Sequence, residues 1–190
     1  MSELDGNKVF LRQANETDIK QLYEWKYLDE QQKSKKWNAP YIEENFISFS
    51  SYQEQWLAEI FPGIPAALAI IADRQAIGYT GAYWVDANTY WMETGIVIYD
   101  SAYWNGGYGT EAYRLWIDYL FHYTDLHRLG MTTWSANERM MQVAKKLGMK
   151  EEARIREARY WQGSYYDSIK MGILRKEWES LQSIDGQRNK

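Results

Sequence analysis

Trp104-Asn105-Gly106-Gly107-Tyr108-Gly109-Thr110 puts three glycines into four positions, between a strand pattern ending at Tyr99 and a helical pattern beginning near Tyr108. Glycines at such a junction let the chain turn tightly and let a ligand reach bare backbone, and the first helical turn adds unpaired N–H groups at the positive end of its dipole. That combination suits a phosphate or pyrophosphate. A Gly-rich junction that is only a turn has the same letters. No Gly-Lys-Ser/Thr is present, which excludes a P-loop, and the preceding strands read as hairpins instead of a βαβ unit, which excludes the dinucleotide fingerprint.

Working outward, Glu93-Thr94-Gly95-Ile96-Val97-Ile98 lies just upstream, where Gly95 interrupts a strand and predicts a bulge or a close approach of another backbone. Residues 67–72, 77–85 and 89–99 form three apolar runs separated by Asp73-Arg74-Gln75 and Asp86-Ala87-Asn88, the pattern of consecutive antiparallel strands. After the glycines, Ala112, Leu115, Trp116, Tyr119 and Leu120 trace one face of a helix. Residues 128–134 read as a strand, and a helix follows Asn137 with Met140, Val143, Ala144 and Leu147 on one face and Lys145, Lys146 and Gly148 near its end. Residues 154–161 and 165–174 flank Gln162-Gly163-Ser164 as a hairpin.

The N-terminal part opens with a short strand at residues 8–12, then Asn15 and Asp18 as cap and third-position acid of a helix carrying Ile19, Leu22 and Tyr23. Residues 37–47 are aperiodic and read as loop. Ser51 and Glu54 predict the start of a second helix carrying Trp56, Leu57, Ile60 and Phe61 and stopped by Pro62. The expected class is α+β, a mixed and largely antiparallel sheet flanked by helices. One domain is expected over residues 1–180, with a frayed tail over 181–190.

The composition narrows the chemistry. The 190 residues include no cysteine, so disulfides, thiolate metal sites and a cysteine nucleophile are excluded. Acidic residues number 26 against 22 basic, a formal charge of -4, and no basic stripe appears, so direct nucleic-acid binding is not expected. The longest strongly apolar stretch, residues 64–72, is too short to cross a membrane, and residues 1–6 do not resemble a signal peptide, so a cytoplasmic protein is expected. His122 and His127 have no companion at ligand spacing, and no metal is expected.

Taken together, the chain resembles the GNAT (Gcn5-related N-acetyltransferase) superfamily, and within it the branch of ribosomal-protein N-terminal acetyltransferase-like proteins. The resemblance runs from Val9 to Trp178 and rests on three motifs in order. Trp104, Gly107 and Gly109 match the acetyl-CoA motif; Asn137 with Lys146, Leu147, Gly148 and Met149 match the second; Gly163, Tyr165, Asp167, Leu174, Glu177 and Trp178 match the closing pattern. The resemblance implies a GNAT-like acyl-CoA N-acyltransferase fold and direct acetyl transfer from acetyl-CoA to a primary amine, whether a protein N-terminus, a polyamine or another small amine. It implies that Trp104, Asn105, Gly106, Gly107, Tyr108, Gly109 and Thr110 hold the pyrophosphate, that main-chain groups of Ile96, Val97 and Ile98 pair with the pantetheine arm, and that Asn137 touches that arm. Asn137 is equally a good N-cap.

A chain α-amine, with pKa near 7.8, is about a tenth neutral at pH 7, whereas a lysine-type amine near 10.4 needs roughly 3.5 kcal/mol more help from a base. Glu93 is the candidate base, directly or through water; an ordinary salt bridge is the alternative. Many superfamily members have a Tyr where this chain has Ala144, and this branch often has a Ser where it has Met140. Those departures leave a second function class open, a non-catalytic acyl-CoA-binding module or regulator. Trp37, Tyr41, Trp84, Tyr160 and Tyr165 are the rings expected to line the acceptor cleft, whose faces and the acidic net charge would favour a cationic amine. The C-terminal hairpin offers an edge strand for a homodimer.

Overall fold

The computed structural model describes residues 3–188. In chain order the elements are β1 (Leu4–Asp5), β2 (Phe10–Arg12), α1 (Glu16–Tyr23), α2 (Phe49–Gln55), β3 (Glu59–Phe61), β4 (Ile64–Pro65), β5 (Ala67–Ala72), β6 (Gln75–Asp86), β7 (Trp91–Ile98), α3 (Tyr108–Tyr123), β8 (Arg128–Trp134), α4 (Glu138–Lys146), β9 (Lys150–Trp161), β10 (Ser164–Leu174) and α5 (Arg175–Arg188). Eight strands form one sheet in the order β1-β2-β5-β6-β7-β8-β10-β9, and β3 and β4 make a separate ribbon. Among the described residues every strand pairing in the sheet is antiparallel except β7 with β8.

Alternation along β6 and β7 sends side chains to two layers. On one face Met92 of β7 and Leu68 and Ile70 of β5 pack with Tyr113, Trp116, Ile117 and Leu120 of α3. On the other face Val97, Tyr99, Ala69 and Ile71 pack with Ile19, Leu22 and Tyr23 of α1 and with Tyr52 of α2. Asn15 caps α1, accepting from the Asp18 N–H at 3.0 Å while the Asp18 carboxylate accepts from the Asn15 N–H at 2.9 Å. A π-helical turn over Glu24–Leu28 follows α1 directly.

The second helix differs from its expected form. Ser48, not Ser51, is the cap, accepting from the Ser51 N–H at 3.2 Å, and the helix ends at Gln55. Ile60 and Phe61 belong to β3, because Pro62 and Gly63, the latter at φ +79, turn the chain back into β4. Trp84 holds that strand: its Nε1 donates to the Ile60 carbonyl at 3.3 Å and its ring meets Phe61 at 5.2 Å.

The C-terminal segment is helical where a frayed tail is expected from residue 181. α5 runs to Arg188, and residues 189 and 190 lie outside the described residues. Arg175 starts it by donating to the carbonyls of Phe121, Leu126 and Thr124, and Trp178 Nε1 and Gln182 Nε2 both donate to the Asp118 carboxylate, at 2.6 and 2.9 Å. No helix among the described residues is long and apolar enough to cross a membrane.

Candidate active site

The sheet opens at its one parallel junction. β7 and β8 are paired only at Glu93 and Gly130. Beyond that point β7 stays paired with β6 as far as Ile98 against Gly78, while β8 stays paired with β10 as far as Trp134 against Ser168. Two strands each held by an outer neighbour but not by each other leave a wedge between them.

The open edge of β7 carries backbone groups without a strand partner. The Tyr99 N–H donates to the Ile77 carbonyl at 2.9 Å, which fixes the alternation along the pair: Val97 and Gly95 turn their main-chain groups to β6, and Ile96 and Ile98 turn theirs into the wedge. The Ile98 carbonyl is taken by Trp104 Nε1 at 3.0 Å. The expected bulge at Gly95 is absent. Gly95 stands in register opposite Gly81, and the β6–β7 irregularity falls between Trp84 and Asp86. The alternative expectation, a close approach of another backbone, is not met either: a Cβ at Gly95 would meet nothing within 4 Å, and Gly95 instead leaves open space in the cleft it lines.

At one mouth of the wedge lies the glycine turn. Asn105 at φ +63 and Gly107 at φ +87 reverse the chain into α3, and Gly107 caps that helix without a side-chain hydrogen bond. The first helical bond is from the Glu111 N–H to the Gly107 carbonyl at 3.0 Å. Among the described residues, no N–H of residues 105–110 donates to a protein acceptor. Lys8 stands beside the turn, its Nζ donating to the Gly106 carbonyl at 2.6 Å. A cavity of about 210 Å³ runs from this turn past Ile96, Val97 and Ile98 to Asn137 and Arg139.

At the other mouth a cavity of about 410 Å³ lies on the α1 and α2 side of the sheet, reached by Tyr79, Tyr83, Gly95, Trp134, Tyr52 and Lys26. Trp37, Asn38, Ile96, Val97, Asn137 and Met140 line both cavities, so the two meet through the wedge. Asn137 does two jobs at the meeting point. Its Oδ1 accepts from the Met140 N–H at 3.1 Å as the cap of α4, and its Nδ2 donates to the Trp37 carbonyl at 2.9 Å. Trp134 Nε1 donates to the same carbonyl at 3.0 Å. The Trp37 loop is thereby pinned across the opening.

Glu93 is buried, with 4% of its surface exposed, beside Tyr83 and Thr94, which line the cavity of about 410 Å³. Tyr83, its register partner on β6, donates to one carboxylate oxygen at 2.8 Å, and Lys170 Nζ bonds the other at 3.0 Å. Lys170 also donates to Thr132 Oγ1 at 3.0 Å, as their opposition across β10 and β8 allows. Burial by itself would raise the Glu93 pKa, but hydrogen bonds from Thr132, Lys170 and Tyr83 and the Lys170 charge outweigh it and hold the group below its ordinary value. Glu93 is therefore a carboxylate at neutral pH. Burial, reinforced by Glu93, raises the Tyr83 phenol, which stays protonated.

Of the rings expected around the acceptor, Trp37 and Tyr41 line the cleft and three do not. Trp84 alternates onto the α3 face, with Phe61 and Tyr90 as neighbours. Tyr160 and Tyr165 pair with each other across the β9–β10 hairpin, 60% and 64% exposed, and line neither cavity. Ala144 is fully buried in the core, whereas Met140 reaches the cleft. Sequence reasoning missed Tyr83, Lys170, Tyr79, Tyr52 and Lys26. Tyr83 had a signal, since folding the chain about Asp86-Ala87-Asn88 sets it opposite Glu93; the others arrive from separate elements.

A wedge between two strands, with a helix N-terminus that makes no side-chain cap bond at one mouth and an aromatic cleft at the other, has room for two ligands that meet end to end. Residues 8–150 match the family model described as an acetyltransferase (GNAT) domain, and the chain belongs to that family. Two relatives from Bacillus subtilis (strain 168) match part of it. YdaF, provisionally named a ribosomal N-acetyltransferase, is 31% identical over 70 residues, and YnaD, an uncharacterized N-acetyltransferase, is 30% identical over 81. Those stretches cover 37% and 43% of this chain and 38% and 48% of the relatives, less than half of each. Among solved structures, a ribosomal-protein-S5-alanine acetyltransferase from Vibrio fischeri superposes with a TM-score of 0.73 at 16% identity, over 94% of this chain and 99% of that one. A spermidine N-acetyltransferase from Vibrio cholerae, solved with CoA and spermine, superposes with a TM-score of 0.72 at 19% identity, over 91% and 99%. At such identities the likeness is one of fold.

Proposed function

We propose that this protein is an N-acetyltransferase that moves the acetyl group of acetyl-CoA directly to a primary amine. The observation that carries the reading is the run of unpartnered N–H groups over residues 105–110, facing a cavity that continues through the wedge into a second cleft. Those groups and the α3 dipole suit a diphosphate, with Lys8 as a nearby cation. The open main-chain groups of Ile96 and the Ile98 N–H would pair with the amides of the carrier's arm as an added strand does. Asn137 borders that path, although both ends of its side chain already serve the protein.

Bound acetyl-CoA supplies a thioester whose acetyl carbon gains a bond to nitrogen as its bond to sulfur breaks. Gly95 leaves the room for that exchange. The nitrogen must also lose a proton, and the route runs through Tyr83, which lines the acceptor side and already donates to Glu93. As the new bond forms, Tyr83 Oη takes the nitrogen's proton while its own hydrogen passes to the Glu93 carboxylate. Lys170 keeps that carboxylate ionised and aimed.

Met140, standing in the cleft where a hydroxyl would serve the departing thiolate, favours one second reading, a module that binds acyl-CoA without turning it over. A thermal-shift series with acetyl-CoA, CoA and NAD separates both readings from neither. A ligand at 100 times its Kd adds about 2.7 kcal/mol of stability, and only the two CoA species should do so. Release of free thiol on adding amines then marks the enzyme; CoA binding without release marks the module.

A further inference from the structure

The acceptor-side cleft lacks the charge pattern of a polycation site. Among the described residues lining it, Lys26 is the only charged one. Two of the lining rings, Trp37 and Tyr41, and the neighbouring Tyr27, are already faced by the protein's own cations. Trp37 has Lys36 at 4.8 Å and Arg139 at 4.5 Å from its ring centre, Tyr41 has Arg159 at 5.2 Å, and Tyr27 has Lys26 at 5.2 Å. The charge facing the cleft from its lining is thus positive, contrary to the cationic preference expected from composition.

Lys26 is also placed there by an unusual piece of backbone. It sits in the middle of the π-helical turn Glu24–Leu28, a departure from α geometry that is frequent at functional sites. It forms an ion pair with Glu44 at 3.5 Å, a residue that does not itself line the cleft. Burial works against the Lys26 charge, but Tyr79, Glu44 and Tyr27 outweigh it and the ammonium persists. Beside it Tyr79 lines the same cleft, and among the described residues its hydroxyl makes no hydrogen bond to protein. A cation and a free donor at the α1–α2 end of the cleft match an anion of the acceptor.

Resting on the acetyltransferase reading and narrowing it, we propose that the acceptor is an amine bearing a carboxylate, which Lys26 and Tyr79 receive while the amine reaches Gly95 and Tyr83. On β6, Gly81 stands opposite Gly95, with Tyr79 two residues to one side and Tyr83 two residues to the other. The strand therefore separates the carboxylate site from the amine site by about 7 Å at Gly95 and about 13 Å at Tyr83, a span that amino acids with extended side chains and short acidic peptides can bridge.

The test compares amines matched except for the carboxylate, with acetyl-CoA as donor and thiol release as readout: γ-aminobutyrate against butylamine, and an acidic tetrapeptide against its neutral counterpart, with spermidine as the polycation. The carboxylate member of at least one pair should show kcat/KM at least tenfold higher, with spermidine below it; which pair responds separates a free amino acid from a peptide. Lys26→Met should erase the preference by raising KM, and Tyr79→Phe should weaken it severalfold in a minimally altered fold. Faster turnover of spermidine than of either carboxylate amine, or a preference untouched in both variants, overturns the proposal. Titration of the same pairs into CoA-loaded protein reads the preference without turnover: equal binding within each pair overturns this proposal alone, whereas failure to bind CoA overturns the acetyltransferase reading itself.

Discussion

The two mouths of the wedge between β7 and β8 are made of different material. On the α3 side the surface offered to a ligand is largely main chain: the N–H groups of residues 105–110 and the open edge of Ile96 and Ile98. On the α1–α2 side it is side chains, contributed by the π-turn, α2, β6, β8 and the Trp37 loop. A backbone site depends on φ and on the absence of Cβ atoms, so it is nearly blind to which side chains surround it. A side-chain site can be retuned by single substitutions while the sheet stays as it is. The difference suits a cleft that keeps one ligand constant and varies the other.

Substitutions at the two mouths should therefore fail in different ways. The largest effect is expected from Glu93→Gln, which on the proposed mechanism removes a proton acceptor at nearly constant volume: kcat should fall about 10²–10⁴-fold, while affinity for CoA, proposed to rest on backbone elsewhere, should not move. Turnover surviving intact would return Glu93 to a purely structural ion pair with Lys170. The same variant has an acid signature. Because Glu93 is held below its ordinary pKa in the folded state, its pairing contributes stability above the unfolded value of about 4.3 and loses it as pH falls through the folded value. Chemical denaturation should show wild type more stable at pH 7 and the two proteins converging in acid.

Gly95→Val comes next, at the boundary between the halves. With no atom within 4 Å of the added Cβ, and with a β-branched residue better suited to a strand than glycine, the melting temperature should hold or rise. The cleft would be filled, and kcat/KM should drop about a hundredfold, equivalent to about 2.7 kcal/mol. A destabilised variant would mean that Gly95 serves the fold and not the passage.

On the cofactor side, Gly107→Ala forces a side chain into the left-handed region at φ +87, at a cost of about 1–2 kcal/mol. It should cut CoA affinity about tenfold and leave the choice among amines unaltered. Equal loss of CoA binding from an exposed side-chain change such as Lys8→Ala would show that the turn is less a backbone site than the geometry suggests.

The same contrast explains what could be read from the sequence. Glycine spacing reports backbone directly, so the turn from Trp104 to Thr110 was legible, as was the strand before it, expected over 89–99 and found at Trp91–Ile98, and β5 and β8 to the residue. Gly95 was legible as an interruption, but neither the bulge nor the close backbone approach expected there is present: it stays in register opposite Gly81 and leaves open space. The acceptor side was largely illegible. Lys26, Tyr52 and Tyr79 carry no local pattern, and their meeting depends on how the π-helical turn, α2 and β6 pack, as Lys170 depends on β10 lying beside β8. Trp84 and the Tyr160–Tyr165 pair were misplaced because an aromatic residue reads the same in core, cleft or hairpin tip. Ile60 and Phe61 fit helical spacing, yet Pro62-Gly63 and the Trp84 indole draw them into a strand.

Asn137 tests whether the halves are separable at all, because it belongs to both. Its cap on α4 is local and worth about 1 kcal/mol, so Asn137→Ala should lower stability by roughly that amount on either view of the site. The bond to the Trp37 carbonyl is the informative part. Trp134 Nε1 shares that acceptor, so one donor remains after the substitution and the loop should loosen without detaching. Trp37 walls both cavities, and a loosened loop should raise KM for the amine and for acetyl-CoA together, each by a few fold, with kcat little changed. Asn137→Asp restores the cap but not the donor. If it regains stability and keeps the raised KM values, the Trp37 carbonyl is the hinge on which both ligands depend; if it regains both, Asn137 is only a cap and the mouths are independent.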